Sequence, residues 1–503
     1  MMKALSSPLF LLLLVVFCLP LRSAQAQFLI AGKIDHPTEN DDLYLNIPVI
    51  SGFYTEHNLY FPVAADGHFE LKLPLDTTKF ATLIYKRKFF TLLLHPGKDL
   101  LIELHQADTS LHIVGGSDDI VNQVVQAVNI EELPFFFYRP AQYADFSAKR
   151  LQAELLDPYF AQRDKKIQQV MAAAIDNADK QRLRGELTAM AYGYVTGARM
   201  SGQWRGEADS LAGTLLEQKF LEAAPSGPHF YDYVDQSVRH LETKVGKMIR
   251  DGKINATATL PYFDMTLDSA THFIARYSKS QLYLHAALRY LSAGTAEDYA
   301  FMLIMRSAVH KELKTLADLS AVFLAHFPES RHIPVINRYH SQLKSLLQQN
   351  ESNAAIQIIP DMEKVNTLEA ILKPLRGQVV YLDVWGTWCG PCKAELPYLP
   401  QLKARFKGQP IVYLYFDMDE DDQDANWRDF IKVNGMEGLH LRKSRKDIAP
   451  FWKELLAGEA DQAQYYPQYF IFDKKGKRVR AKAERPSGQA ALYEQIQAVL
   501  NMP

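Results

Sequence analysis

Seven consecutive residues, Val379-Val-Tyr-Leu-Asp-Val-Trp385, constrain this chain more than any other feature, because after only three further residues comes Cys389-Gly-Pro-Cys392. The run does not alternate between apolar and polar, so it reads as a strand buried on both faces. Such a strand needs a layer on each side, which points to an α/β domain. Gly390-Pro391 lets the chain turn and enter a helix, since proline in a first helical turn gives up no hydrogen bond. Cys389 then falls at a helix start, where free N–H groups and the helix dipole favour a thiolate. Cys392, one turn on, is placed to resolve a mixed disulfide formed by Cys389. Structural zinc would need four ligands, and there is no second CxxC and no nearby His, so neither a metal nor a cofactor is expected.

The cysteine count isolates this pair. Lys3, the apolar run Leu9–Leu19 and the small residues of Ala24-Gln25-Ala26 have the three-part layout of a secretory signal peptide over residues 1–26. The run is short of the about 20 residues that span a bilayer. Cleavage would remove Cys18 and leave 477 residues (503 minus 26) holding only Cys389 and Cys392. Lipid attachment at Cys18 and retention as an anchor are the rival readings. An exported chain with a single thiol pair has nothing to cross-link structurally. The expected location is the periplasm or cell envelope.

At roughly 150 residues per domain the length suggests about three domains, and their textures differ. Residues 27–117 read as a small antiparallel β-sandwich-like domain. His68–Leu73 alternates with period two behind an Asp66-Gly67 turn, and Leu92–Leu94 and Leu100–Leu104 flank a hairpin-like break at His95-Pro-Gly-Lys98. Residues 118–352 read as an all-α region. Ile167, Val170, Met171, Ala174 and Ile175 mark one helical face, and Leu303–Phe327 is helical up to Pro328. Phe135-Phe-Phe-Tyr138 is expected to pack in a core or between domains, with a partner surface as the alternative. The polar Gln348–Ser352 and Pro360 suggest a linker before a third domain, residues 353–503. There the order reads β-α-β-α-β-β-α: strand Val379–Trp385, helix Lys393–Lys407, strand Ile411–Phe416, helix Trp427–Val433, a hairpin of Tyr469–Phe472 and Lys477–Ala481 about Lys475-Gly476, and helix Ala490–Leu500.

Val380-Tyr-Leu-Asp-Val-Trp-Gly-Thr-Trp-Cys-Gly-Pro-Cys-Lys393 resembles the thioredoxin signature, and with Glu395-Leu-Pro397 it is similar to exported thiol–disulfide oxidoreductases of the TlpA/ResA type within the redoxin superfamily. The resemblance covers roughly the last 140 residues. It implies a C-terminal thioredoxin fold, a kink of the active-site helix at Pro397, and a cis-proline at Pro467 facing the disulfide. It also implies that Asp383, six residues before Cys389, is the buried acid that helps deprotonate Cys392. Burial independently predicts a raised pKa for this carboxyl. Trp388 is expected to shield or position the disulfide, or simply to pack, while Lys393 and Glu395 read as solvated helix residues. Gln468 stands where the family more often has threonine, and Tyr466 is bulky for its place, so the partner-facing loop departs from the pattern.

The fold class expected is therefore multidomain: an antiparallel β domain, an all-α middle and an α/β thioredoxin fold. The expected activity is a Cys389/Cys392 dithiol–disulfide cycle acting on protein thiols and disulfides. Gly-Pro between the cysteines favours a reductase, fed by a membrane electron donor, with cytochrome c maturation or thiol repair downstream. An oxidase or isomerase, or a partner-binding scaffold with a secondary redox module, are the alternatives, and the long N-terminal half suggests a homodimer or a platform limiting access to the thiol. A formal charge of −2, from 56 Lys+Arg against 58 Asp+Glu, gives nucleic acid no electrostatic foothold. Asp417–Asp424 superficially resembles a calcium loop but has Arg428 at the twelfth position, so it reads as a solvated loop capping the next helix. No HExxH motif occurs among the histidines.

Overall fold

The computed structural model describes residues 27–38, 43–219, 225–255 and 257–503, so the expected signal peptide and Cys18 lie outside the described residues. Its three textures follow the expected order: β sheets, a long helical stretch, then an α/β domain. By backbone contacts the chain divides into two compact units, one ending at Tyr233 and the other beginning at Val234, with the division inside the helix Pro228–Arg250. No helix among the described residues is long and apolar enough to cross a membrane.

The first unit begins with eight strands: β1 (Gln27–Ile34), β2 (Leu43–Asn46), β3 (Asn58–Tyr60), β4 (His68–Pro74), β5 (Lys79–Tyr85), β6 (Lys88–Leu94), β7 (Asp99–His105) and β8 (Ser110–Gly115). They form two four-stranded sheets, ordered β4-β1-β7-β8 and β3-β2-β5-β6. All pairs are antiparallel except β1 with β7, which is parallel. Alternation drives the packing, with Phe69 and Leu73 of β4 turned inward to join Phe28, Ile30, Leu83, Leu92 and Ile102 in one core. Gly67 turns the chain at φ +88°, as the Asp66-Gly67 signal predicts, and Gly32 lets β1 approach β7, where a Cβ would meet the Ile102 carbonyl at 1.9 Å.

The His95–Lys98 break is not a hairpin, because β6 and β7 belong to different sheets. Its cause is the polar anchoring of His95. The imidazole lies 3.1 Å from Asp118 through Nδ1 and 3.0 Å from Asp179 through Nε2, so it ties the strand end to the helices beyond. Among those helices, Asp157–Ala172 buries Val170 but ends before Ala174, and Met171 is exposed. Phe136 fills a core with Tyr159 and Trp204, as expected of the aromatic cluster, while Tyr138 is exposed.

In the second unit, Leu303–Phe327 is two helices rather than one. Ala293–Val309 and Leu313–His326 are separated by His310-Lys311-Glu312, with Lys311 at φ +54°. Gln348–Asn350, read as linker, complete the helix Ile333–Asn350. The C-terminal sheet is six-stranded, ordered β14-β13-β10-β11-β12-β9, from β9 (Ile356–Ile358), β10 (Val379–Trp385), β11 (Ile411–Asp417), β12 (Gly438–Arg442), β13 (Gln468–Phe472) and β14 (Arg478–Ala481). β10 is central, parallel to β11 and antiparallel to β13, and every one of its residues is buried. Val380, Leu382 and Val384 face one core with Phe451 and Trp452; Val379, Tyr381 and Trp385 face another with Trp427, Leu492 and Ile496. The edge strand β9, its neighbour β12 and the helix Ala449–Leu455 were not read from sequence.

His95 provides a test of the first unit's packing. Its pKa is raised, chiefly by the hydrogen bond to Asp118 and further by Asp179, against an opposing effect of burial. A raised histidine pKa stabilises fully below about 6.5, the unfolded value, and that stabilisation is lost as pH rises through the folded pKa. Replacing His95 with Gln is therefore expected to cost about 2 kcal/mol at pH 6, and thermal melts should show the gap from wild type narrowing steadily towards pH 9.

Candidate functional site

β10 hands the chain directly to the reactive residues. Past Trp385, the turn Gly386-Thr387-Trp388 is pinned at two points: the Met418 N–H donates to the Trp385 carbonyl at 3.1 Å, and the Thr387 N–H donates to Asp419 Oδ2 at 3.2 Å. Cys389 then caps a helix running Gly390–Glu395, its Sγ accepting the Cys392 N–H at 3.1 Å. That helix is six residues long and passes into a tighter turn at Leu396–Tyr398 before resuming at Leu399–Arg405. Pro397 lies in the tight turn, where its missing N–H breaks the helical ladder. With so short a helix, the sulfur is served by its own local N–H donor more than by a long helix dipole.

Cys389 and Cys392 are joined as a disulfide with Cα atoms 5.2 Å apart, and each residue is only 3% exposed. Trp388 is the contrast at 50% exposure. Its indole folds back over Gly386, where a Cβ would stand 2.7 Å from Nε1, and meets the Tyr466 ring edge-on at 5.5 Å. The Tyr466–Pro467 peptide is cis. Because Gln468 pairs with Val384, the loop holding Pro467 lies at the same end of the sheet as the turn leading to Cys389. Gln468 is buried, its Oε1 accepting the Tyr465 N–H at 3.5 Å, so it shapes this loop from inside. Tyr466 is fixed by its hydroxyl, which accepts the Trp452 Nε1–H at 3.2 Å.

Beneath the disulfide the chain has buried acids. Asp383 alternates onto the same face of β10 as Tyr381 and Trp385, the face that carries the cysteine core, and pairs across the sheet with Tyr415 and Tyr469. Its Oδ1 and the hydroxyls of Tyr415 and Tyr469 lack a hydrogen-bond partner among the described residues. Burial without such support pushes the Asp383 pKa well above the carboxylate range, and the nearby charge of Glu395 pushes it the same way.

Glu395 is not the solvated residue expected. It is buried, accepting from the Ser487 N–H at 2.8 Å and Oγ at 3.0 Å, with Arg485 at 3.5 Å. A signal for this was present: Cys392, Glu395, Leu399, Leu402 and Phe406 recur at helical spacing, so Glu395 falls on the apolar face. Lys393 is also mostly buried, forming an ion pair with Glu312. The acidic stretch after β11 divides likewise. Asp421 and Asp422 are solvated as expected, but Asp417 and Asp419 are buried, with the Asp419 N–H donating to Asp417 Oδ1 at 2.9 Å. Burial raises the pKa of both, and in Asp417 the charge of Asp419 adds to the effect. Asp419 thus supports the turn that presents Cys389, a role sequence reading missed.

A cavity of about 780 Å³ lies in the first unit, lined in part by Phe80, Thr91, Glu131, Tyr194 and His229. It contains no thiol, so the dithiol is the stronger candidate for chemistry.

Comparison with known proteins locates the same region. Residues 377–478 match the family model described as Thioredoxin-like. The chain is 32% identical over 109 residues to the thiol-disulfide oxidoreductase ResA of Bacillus thuringiensis strain Al Hakam, covering 22% of this chain and 56% of that protein. It is 41% identical over 124 residues to ResA of Bacillus thuringiensis subsp. konkukian, covering 24% of this chain and 65% of the relative. The chain thus spans a little over half the length of these curated relatives. A crystal structure of the thioredoxin domain of a thiol-disulfide oxidoreductase from Bacteroides vulgatus is 24% identical, covers 26% of this chain and 84% of that one, and superposes with a TM-score of 0.21.

Asp383 yields a prediction with two readouts. Since its folded pKa lies above the unfolded value of about 3.9, the folded chain holds the proton more tightly, and stability falls as pH rises from that unfolded value towards the folded one. Asp383→Asn removes the penalty. The variant should melt several degrees above wild type at pH 8, with the difference shrinking towards pH 4, as calorimetry of the oxidised chain would record. An equal difference at both pH values would mean that Asp383 is not held protonated by burial.

Proposed function

We propose that this chain, whose C-terminal region is a thioredoxin-like domain, is an exported thiol–disulfide oxidoreductase that reduces disulfides of extracytoplasmic proteins. The observation that carries the reading is the Cys389–Cys392 disulfide presented just past the end of a fully buried strand that contains Asp383. Two electrons from a donor, with two protons, convert the disulfide to two thiols. Cys389, as thiolate, attacks a sulfur of the partner's disulfide; a Cys389–partner bond forms and the partner's other sulfur leaves as a thiolate that takes up a proton. The carboxylate form of Asp383 then takes the proton of Cys392, and the resulting thiolate attacks Cys389 Sγ. The second partner sulfur leaves as a thiolate that takes up the proton held by Asp383, the partner has gained two electrons and two protons, and the Cys389–Cys392 bond is restored.

The geometry supplies reasons for each role. Both cysteines are buried in one core, but the Cys389 sulfur accepts a local N–H, and in the proposed cycle Cys392 is given a base instead. A carboxyl raised towards the thiol range is better matched to that proton transfer than an ordinary one. Trp388 and Tyr466 flank the site as an aromatic border for a docking polypeptide, and Pro467 belongs to the same loop. Gly390-Pro391 favours the reducing direction, and a reductase outside the cytoplasm requires a membrane electron donor. Cytochrome c maturation or thiol repair in the cell envelope, and a homodimeric state, belong to this proposal.

The test is direct. Wild type, reduced with dithiothreitol, should reduce a disulfide-bonded peptide, and Cys389→Ala should abolish this. Cys392→Ala should accumulate a mixed disulfide that mass spectrometry detects, while Asp383→Asn should slow resolution by roughly tenfold to a hundredfold, at or below the lower end of general-base contributions. A Cys389→Ala variant that still reduced the peptide would remove the basis of the proposal.

A further inference from the structure

In the second unit, Glu312 of the helical part meets the active-site helix through Lys393. The break between Ala293–Val309 and Leu313–His326 brings His310-Lys311-Glu312 against the active-site helix, where Glu312 forms its ion pair with Lys393. Both side chains are mostly buried, at 14% exposure for Lys393 and 17% for Glu312. Lys393 immediately follows Cys392, and its own N–H donates to the Cys389 carbonyl at 3.1 Å. Glu312 is in turn fixed by its backbone, with its N–H on the Ser307 carbonyl at 2.8 Å and its carbonyl accepting from Leu316 at 2.8 Å. His310 also lies beside this pair, its Nδ1 3.9 Å from Glu312, and itself feels the cation of Arg306. Burial lowers the His310 pKa, so near neutral pH it adds no charge.

A lysine beside a dithiol stabilises the thiolate, and so makes the disulfide easier to reduce. A buried partner carboxylate cancels most of that field. We propose that Glu312, from outside the thioredoxin-like region, is a positioning residue that acts through Lys393 to set the reactivity of Cys389. It holds the ammonium group in place and neutralises it, keeping the dithiol more reducing than a bare Lys393 would. The helical layer thereby has a part in the chemistry that its distance in sequence conceals. The inference rests on the dithiol cycle proposed above.

The pair predicts shifts of opposite sign, which a merely structural contact would not produce. In the full chain, Glu312→Gln leaves the lysine uncompensated. The Cys389 thiol pKa, read by thiolate absorbance, should fall, and the equilibrium with glutathione should move about threefold towards the dithiol, about 14 mV. Lys393→Met leaves the carboxylate uncompensated and should shift both quantities the other way. The double variant should return close to wild type. Shifts in the same direction, no shift in either single variant, or a double variant that stays at the value of either single variant would overturn the inference. A wild-type pair that failed to cycle with glutathione would instead overturn the proposed function itself.

Discussion

Burial of β10 on both faces is the constraint on which the C-terminal half depends. With all seven residues excluded from water, the strand must be central, with helices covering each side of the sheet. The cost of loosening it is large: truncating a buried indole such as Trp385 takes about 3–5 kcal/mol. That rigidity is transmitted to the turn that follows, which presents the cysteines from the strand's end without support from a long helix. Burial also bears on the chemistry, because an acid placed in such a strand loses its water and holds its proton to a higher pH.

The acids around the turn divide according to what each is given in place of water. Glu395 receives the N–H and hydroxyl of Ser487 and a nearby guanidinium, which together compensate a buried charge. Asp383 has nothing equivalent and is pushed towards its neutral form. Asp419 lies between, accepting the Thr387 N–H while still raised by burial. One carboxyl is thereby shifted towards its neutral form, while others hold the backbone. Lys393, balanced by Glu312, completes an arrangement in which charges near the disulfide are paired or suppressed.

Much of this was legible in the sequence. The unbroken apolar run, the CxxC turn and the terminal helix Ala490–Leu500 follow from short-range pattern, and the structure places all three where that pattern does. What escaped depends on contacts distant in sequence. Lys393 and Glu395 read as solvated because their partners, Glu312 and Ser487, are 81 and 92 residues away. The break at Lys311 is set by a left-handed backbone within an otherwise helical pattern, and the edge strand β9 and its neighbour β12 are short elements with little period of their own. The His95 turn looked like a hairpin because the sequence does not record that its flanking strands join different sheets.

The central claim is that Cys389 and Cys392 form a reducing dithiol. It is tested most directly by the reduction potential of the full chain without its first 26 residues, titrated against glutathione or dithiothreitol with mass detection of free thiols. The account predicts a value near that of thioredoxin, about −270 mV. A value near −120 mV, that of a strong disulfide donor, would contradict it.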